Sequence, residues 1–376
     1  MRKTILILVI TALLALSCVG CNSSKDSNSF SVEDFNSFTD DDLRTGDVRE
    51  IANTENGFYY INASCLYYYD NKLKETTILC TDSDCTHDSN KCNARLMNVL
   101  GEIFYNNGNL YVVEAVQGDS GKYHFYLVEV NKDATKRTRL TELFQANDTI
   151  GISYEMILHR GYCYFCVYPN DYDTEKENSV FRVKIEKNAE IEKIYTDNGY
   201  GVTFSLYGYQ NGIYLDESKN TDSQASDSVS NMYVYDISSG KIEDCEIDDF
   251  RRITFGNGCV YYTKSDSLWK KKAGKKEEKI YDFGRDIYGE LRFDGKYFYF
   301  DTQTDCWMKD LDEKERKVYV INQQGELKEM LDIPFEYSFA TCDEEKSVWK
   351  NIDGTKIAIY DTNQIGTGKT DLEEFS

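Results

Sequence analysis

Hydrophobic positions in this chain come in short bursts, and the bursts return as a phrase. Each copy is a hydrophobic strand, a turn that usually ends in Gly, and a second strand crowded with Tyr and Phe. The copies read NTENGFYYIN from Asn53, YNNGNLYVVE from Tyr105, LHRGYCYFCVY from Leu158 and GYQNGIYLDE from Gly208. They continue as TFGNGCVYYTK from Thr254, RFDGKYFYFD from Arg292 and a worn TCDEEKSVWKN from Thr341, where Glu345 takes the place of Gly. The first six turn glycines are 57, 108, 161, 212, 258 and 295, giving steps of 51, 53, 51, 46 and 37 residues. A period near 40 to 50 residues with several short strands per unit predicts a β-propeller.

Each unit parses into four strands. In the first they fall at 48–52, 58–61, 66–69 and 76–79, and in the second at 102–105, 110–113, 124–130 and 139–144. The fourth unit gives 203–207, 212–215, 232–237 and 242–247. Second strands such as FYYI and CVYY are apolar on both faces, as expected for strands buried between two neighbouring sheets. Third strands alternate better and end in turn residues such as Ser238, Ser239 and Gly240. The two prolines, Pro169 and Pro334, fall between strands. The predicted fold is all-β: a β-propeller of seven four-stranded blades over residues 47–376, about 47 residues to a blade. The seventh unit shows no fourth strand after Asp361, so a segment from the N-terminal side is expected to complete it and cover the edge.

The N-terminus has a different pattern. Arg2 and Lys3 precede an apolar run at 4–16, followed by small residues and cysteines, which is the layout of a secretory signal. The run spans only about 20 Å as a helix, short of a bilayer core near 30 Å. Its end, Leu16, Ser17, Cys18, Val19, Gly20 and Cys21, resembles a bacterial lipobox. The resemblance implies cleavage of residues 1–20 and fatty acylation (palmitate among the chains) of Cys21, with Cys18 as the alternative frame. Residues 21–46 then read as a polar tether. The expected address is the outer face of the cytoplasmic membrane, held by the N-terminal lipid.

Composition suits a folded body with a wet surface: 41% hydrophobic, 29% charged, and 30 tyrosines among 376 residues. Tyr fills a blade interface with its ring while its hydroxyl finds a partner at the rim. The net charge of −22 repels phosphate backbones, so nucleic acid is excluded as a partner. The basic island Lys270, Lys271, Lys272, Lys275 and Lys276 reads as a solvated turn of the fifth unit.

Repeats of the form Gly-x-x-Tyr-Tyr followed by a Leu-Tyr-x-Tyr-Asp strand resemble the YWTD-like propellers of the low-density-lipoprotein-receptor type. More closely, the chain resembles Firmicutes lipoproteins that carry such a propeller and have no agreed function. Tyr261, Tyr262, Thr263 and Lys264 form the copy nearest the YWTD phrase, without its Trp and Asp. The stretch 79–94, LCTDSDCTHDSNKCNA, is similar to a Cys-Cys-His-Cys phrase of those lipoproteins. The resemblance implies a propeller and a lipid anchor and no enzymatic activity.

Candidate chemistry concentrates in that stretch. Cys80, Cys85, His87 and Cys92 lie in the loop leaving the first blade, spaced C-x4-C-x-H-x4-C. An extracytoplasmic compartment permits one disulfide among the three cysteines, the third being free or paired with Cys65. Three thiolates and an imidazole could instead complete a structural zinc site, although the spacing matches no standard finger and Asp82, Asp84 and Asp88 crowd the loop. The remaining cysteines (163, 166, 245, 259, 306, 342) are scattered and read as small buried hydrophobes, with Cys163 and Cys166 on opposite faces of one strand. Gly366, Thr367, Gly368, Lys369 and Thr370 imitate the end of a phosphate loop, but Asn363 stands where the first Gly belongs and no helix can follow. Asp171, Asp173 and Glu175 lack the Gly and Glu of a calcium loop. No nucleophile-elbow or metalloprotease motif occurs, and the chain has only three histidines. The expected function is a non-catalytic binding or scaffolding module for a cell-wall component, glycan, peptide or protein. The alternative is an extracytoplasmic glycan-active enzyme that uses carboxylates lining the propeller channel.

Overall fold

Antiparallel hairpins follow one another through the residues described by this computed structural model, which are 51–375 apart from 90, 97, 101, 107, 148–152, 169–174, 222–227, 309–311 and 352–355. These residues all belong to one compact unit. The first sheet holds β1 (Ile51–Thr54), β2 (Gly57–Asn62), β3 (Cys65–Asp70) and β4 (Glu75–Ile78) in sequence order. The second holds β5 (Phe104–Asn106), β6 (Asn109–Gln117), β7 (Tyr123–Asn131) and β8 (Arg137–Ala146). A larger sheet follows with β9 (Ser153–His159), β10 (Tyr162–Tyr168), β11 (Glu175–Lys184), β12 (Ile191–Tyr209), β13 (Gly212–Asn220), β14 (Ser228–Asp236) and β15 (Lys241–Asp248). The fourth holds β16 (Arg252–Gly256), β17 (Cys259–Lys264), β18 (Ser267–Lys271) and β19 (Glu278–Asp282). The fifth holds β20 (Glu290–Phe293), β21 (Tyr297–Asp301), β22 (Val318–Asn322) and β23 (Leu327–Leu331). The last holds β24 (Tyr337–Cys342), β25 (Lys346–Asn351), β26 (Ile357–Asp361) and β27 (Leu372–Phe375).

The repeated phrase is the hairpin joining first and second strands, and its chemistry explains the turn. Between β16 and β17, Asn257 and Gly258 have φ of 52° and 67°, and Gly256 pairs with Cys259 across the turn. Two successive left-handed residues are what a two-residue hairpin turn needs to match strand twist, and Asn-Gly supplies them at least strain.

Stacking turns these sheets into a ring. First strands touch their successors from β1 to β5, β5 to β9 and β9 to β12, then from β16 to β20, β20 to β24 and β24 back to β1. The step from β12 to β16 is made by Tyr207 and Tyr209, whose rings lie 5.6 and 5.4 Å from that of Phe255. A circle of innermost strands with sheets radiating outward is a β-propeller, as the repeat predicts. The core is accordingly divided into layers between neighbouring sheets. Phe125 and Leu127 of one sheet meet Met156 and Phe165 of the next, and Leu66 meets Leu110 and Val128.

The structure departs from the sequence parse in three places. First, there are six sheets, because the third and fourth units share β12. Its first half pairs with β11 and its second half with β13, and the register with β13 shifts between Tyr200 and Thr203. Gly201, at φ 55°, lets the strand bend there without ending. Second, no N-terminal segment is needed for the last sheet, since β27 pairs with β26 from Ile357↔Phe375 to Tyr360↔Leu372. Third, a short helix, α1 (Gln303–Met308), interrupts the fifth sheet between β21 and β22. The insertion is bracketed by a buried bidentate ion pair, with Arg316 Nε and Nη2 donating to Asp301 Oδ1 and Oδ2 at 2.9 and 2.6 Å. No helix among the described residues is long and apolar enough to cross a membrane.

The ring is closed by side chains. Ile51, Phe58 and Tyr60 of the first sheet pack with Val348, Ile357 and Ile359 of the last. The Phe375 ring stacks on Tyr69 at 4.7 Å and 9° and approaches Phe58 at 6.4 Å. Phe375→Ala is expected to lower unfolding free energy by about 2 kcal/mol, since the ring is half-buried and shares stacking with two others. Deleting residues 372–376 should cost more, because it also bares the backbone edge of β26. Equilibrium urea unfolding measures both; a loss no larger for the deletion than for an exposed-site change would refute this account of closure.

Candidate metal centre

Beyond β4 the chain leaves the first sheet at Leu79 and comes back at Arg95, which forms a bridge with Cys65. Both ends of this excursion are pinned to β3: Leu79 N donates to Leu66 O at 3.0 Å, Leu66 N to Ala94 O at 2.9 Å and Leu96 N to Ser64 O at 2.7 Å. Asn93 ties the ends together. Its Oδ1 accepts from Thr81 N at 3.1 Å and its Nδ2 donates to Leu79 O at 2.8 Å. The next sheet supplies a clamp, because Arg137 at the start of β8 donates through Nη2 to the carbonyls of Asn93 and Arg95, each at 2.7 Å. The loop is therefore fastened to two blades.

Within this frame the four predicted residues converge. The sulfurs of Cys80, Cys85 and Cys92 and a ring nitrogen of His87 all lie within 4.8 Å of one another. Cys80 Sγ and Cys92 Sγ are 3.7 Å apart, and His87 Nδ1 is 3.4 Å from Cys92 Sγ. His87 has φ 59°, a left-handed setting costly for a residue with a Cβ, while its amide points at Cys85 Sγ at 3.4 Å. The acidic side chains that crowd the sequence serve local turns: Asp82 Oδ1 accepts from Asp84 N at 3.0 Å and Asp88 Oδ1 from Thr86 Oγ1 at 2.6 Å.

These residues fit a metal ion. Two thiolates about 2.3 Å from one tetrahedral zinc stand about 3.8 Å apart, and a thiolate and an imidazole nitrogen about 3.5 Å apart. The observed 3.7 and 3.4 Å match those edges closely. A disulfide brings sulfurs to about 2.05 Å, and the described cysteines are all free thiols. Electrostatics points the same way. A hydrogen bond at the Asp82 backbone lowers the Cys80 thiol. The His87 amide also pulls the Cys85 thiol down, but burial and the sulfurs of Cys92 and Cys80 outweigh it and push that thiol up to about 11. Thiols this close ionise against one another, and a divalent cation removes that conflict. Arg137, close enough for its charge to interact with Cys92, offsets part of the negative charge that three thiolates leave on a zinc complex.

Other sequence candidates fall elsewhere. Cys65 is buried beside the loop, its Sγ 3.8 Å from His87 O, outside the converging set. Cys163 and Cys166 face different core layers, as alternation requires. In the 366–370 stretch, Gly366 N already donates to Glu329 Oε2 at 2.7 Å, so an acid stands where a phosphate would have to be. Lys270 and Lys271 end β18, and the rest of the basic island occupies the turn before β19. Cys18, Cys21, Asp171 and Asp173 lie outside the described residues. Sequence reasoning missed Asn93 and Arg137. Asn93 directly follows the last cysteine and was open to suspicion; Arg137 carries no local signal.

No protein-family model and no curated protein matches the chain. Among solved structures, it is similar to BamB from Moraxella catarrhalis, at 10% identity and TM-score 0.45 over 84% of this chain and 94% of that one. A europium-containing methanol dehydrogenase matches at 10% identity and TM-score 0.47, over 89% of this chain and 80% of that one. The dipeptidyl peptidase 4 of Porphyromonas gingivalis matches at 9% identity and TM-score 0.44 over 89% of this chain, which spans about half of its length (54%). Likenesses of this degree concern the path of the chain and not its chemistry.

Metal-free protein is expected to take up one equivalent of zinc, and Cys92→Ser to lose stoichiometric binding. Asn93→Ala keeps every ligand and should weaken zinc about 10-fold by loosening the loop. Competition with a chromophoric chelator reads the affinities, and elemental analysis the stoichiometry. Purified protein without metal, in which thiol titration shows two of the three cysteines oxidised, would establish the bridge instead.

Proposed function

We propose that the protein is a membrane-anchored, extracytoplasmic binding propeller, with a structural zinc in the loop leaving its first blade. The observation that carries the non-catalytic reading is the use made of its histidines. His87 joins the cysteine cluster, His124 Nδ1 pairs with Glu142 Oε2 at 3.1 Å, and His159 is wholly buried with Nε2 2.8 Å from Gln210 O. Buried acids are similarly committed. Asp301 is held by Arg316, and Glu217 by Lys219 at 3.1 Å and the Tyr195 hydroxyl at 2.9 Å. A rigid ring whose proton-handling groups serve its own packing is suited to presenting a surface.

The lipobox at Cys21 supports the anchor and the tether after it the display of the body away from the headgroups. On this reading the zinc fixes the exit loop against two neighbouring blades, and the ligand is a cell-wall component, glycan, peptide or protein.

The test has two arms on one preparation. Full-length protein should stay with membranes, and Cys21→Ala should be released into the soluble fraction; retention of that variant alongside release of Cys18→Ala would move the anchor to Cys18. Purified body is then screened for binding to peptidoglycan and glycan fragments beside a turnover assay on the same fragments. Binding without turnover is expected. Turnover that disappears on changing one channel carboxylate, with binding retained, would replace the binding module by a glycan-active enzyme.

A further inference from the structure

A row of charge sits on two adjoining innermost strands. Arg252 opens β16; Glu290 and Arg292 stand two apart on β20. Leu291 and Phe293, one residue out of phase with them, join the hydrophobic layer against the fourth sheet. Glu290 and Arg292 therefore lie on the opposite face of β20, where Arg252 reaches Glu290 from strand to strand.

The row holds two guanidinium groups and one carboxylate. Glu290 Oε1 accepts from Arg252 Nε at 2.8 Å and Oε2 from Arg292 Nη1 at 3.2 Å, so both its oxygens are engaged. The nearest acid by register, Asp301 opposite Glu290, is already neutralised by Arg316. One positive charge is therefore left over. Its location is specific: the Arg292 side chain is only 5% exposed, and Nη1 makes all of its hydrogen bonds, to Glu290 and to Leu291 O at 3.1 Å. Arg292 Nε is buried without a partner. The edge of the guanidinium formed by Nε and Nη2 is thus unused, and that edge is the one that grips carboxylate or phosphate through two parallel bonds. A buried donor left unmade costs roughly 1–3 kcal/mol, more when charged. Its partners are less deeply placed, with Arg252 at 36% side-chain exposure and Glu290 at 31%.

We propose that Arg292 and Arg252 form an oxyanion site beside the innermost strands β16 and β20, taking a carboxylate or phosphate group of the ligand, with Glu290 holding the two guanidinium groups in position. This deepens the binding reading by naming the ligand's chemistry. The acidic surface then acts as a filter, because its net charge of −22 disfavours anions everywhere except where a local excess of positive charge receives one.

Calorimetric titration of the purified body with inorganic phosphate and, separately, citrate tests the site and tells the two sources apart. Saturable one-to-one binding of one of them is expected. Arg292→Lys, which keeps the charge and loses the fork, and Arg252→Gln should each weaken it at least tenfold. Glu290→Gln should tighten it severalfold by releasing both guanidinium groups. Lys328→Gln, an exposed charge on an outer strand, should change it less than twofold. If Arg292→Lys fails to fold, the opposed responses of Arg252→Gln and Glu290→Gln carry the test. No saturable binding of either anion, or equal weakening by Lys328→Gln, overturns the site. Retention of wall-fragment binding by Arg252→Gln would overturn the site while leaving the binding module standing.

Discussion

Every sheet in this molecule is apolar on both faces, and everything else follows from that. A sheet such as the first, with Phe58 and Tyr60 turned one way and Leu66 and Tyr59 the other, cannot be left half exposed. It must be covered on both sides by sheets with the same problem, and a row of such sheets ends only by meeting itself. The packing of Phe375 and Ile359 against Tyr69 and Phe58 is therefore the condition for the ring, more than a local contact. Once the circle is closed, first strands are forced to the axis and excursions such as 79–96 are forced to the outside, where they can be clamped by the neighbouring blade.

Much of this was legible in the sequence, for identifiable reasons. The turn glycines and the Tyr-rich second strands are local signals tied to local geometry, so the hairpins fell where the pattern put them. The last strand was hidden because Leu372, Glu373, Glu374 and Phe375 show no period-two alternation, and only pairing with β26 turns Leu372 and Phe375 toward two different apolar layers. The shared strand β12 was hidden because Gly199 and Gly201 look like turn residues, yet they bend the strand without ending it. The helix α1 is too short to show a period. At the cysteine loop the ligand types could be read directly, but spacing alone left both the bridge and the metal open. The convergence of the four side chains depends on a loop whose ends are tied by Asn93 and clamped by Arg137, which belongs to another blade.

The two charged places in the ring illustrate opposite uses of burial. Asp301 and Arg316 satisfy each other along a full bidentate edge and hold an insertion in register, with Trp349 lying 5.7 Å beneath the guanidinium. Arg292 is equally buried, yet half of its hydrogen-bonding edge has no partner of its own. The first arrangement is complete, and removing either member would strand a charge in the core. The second is complete only with something added.

The strand shared by the third and fourth units gives the ring a mechanical asymmetry. Elsewhere adjoining sheets meet mainly through side chains, whose contacts can part and re-form as the circle breathes. Along β12 a continuous backbone ribbon passes from one unit to the next, and separating them means tearing peptide hydrogen bonds on both sides of Gly201. That joint behaves as a weld among hinges. Thermal opening of the propeller should therefore start far from it, and the seam between the first and last sheets, held by side chains with no strand crossing it, is where the circle is free to come apart.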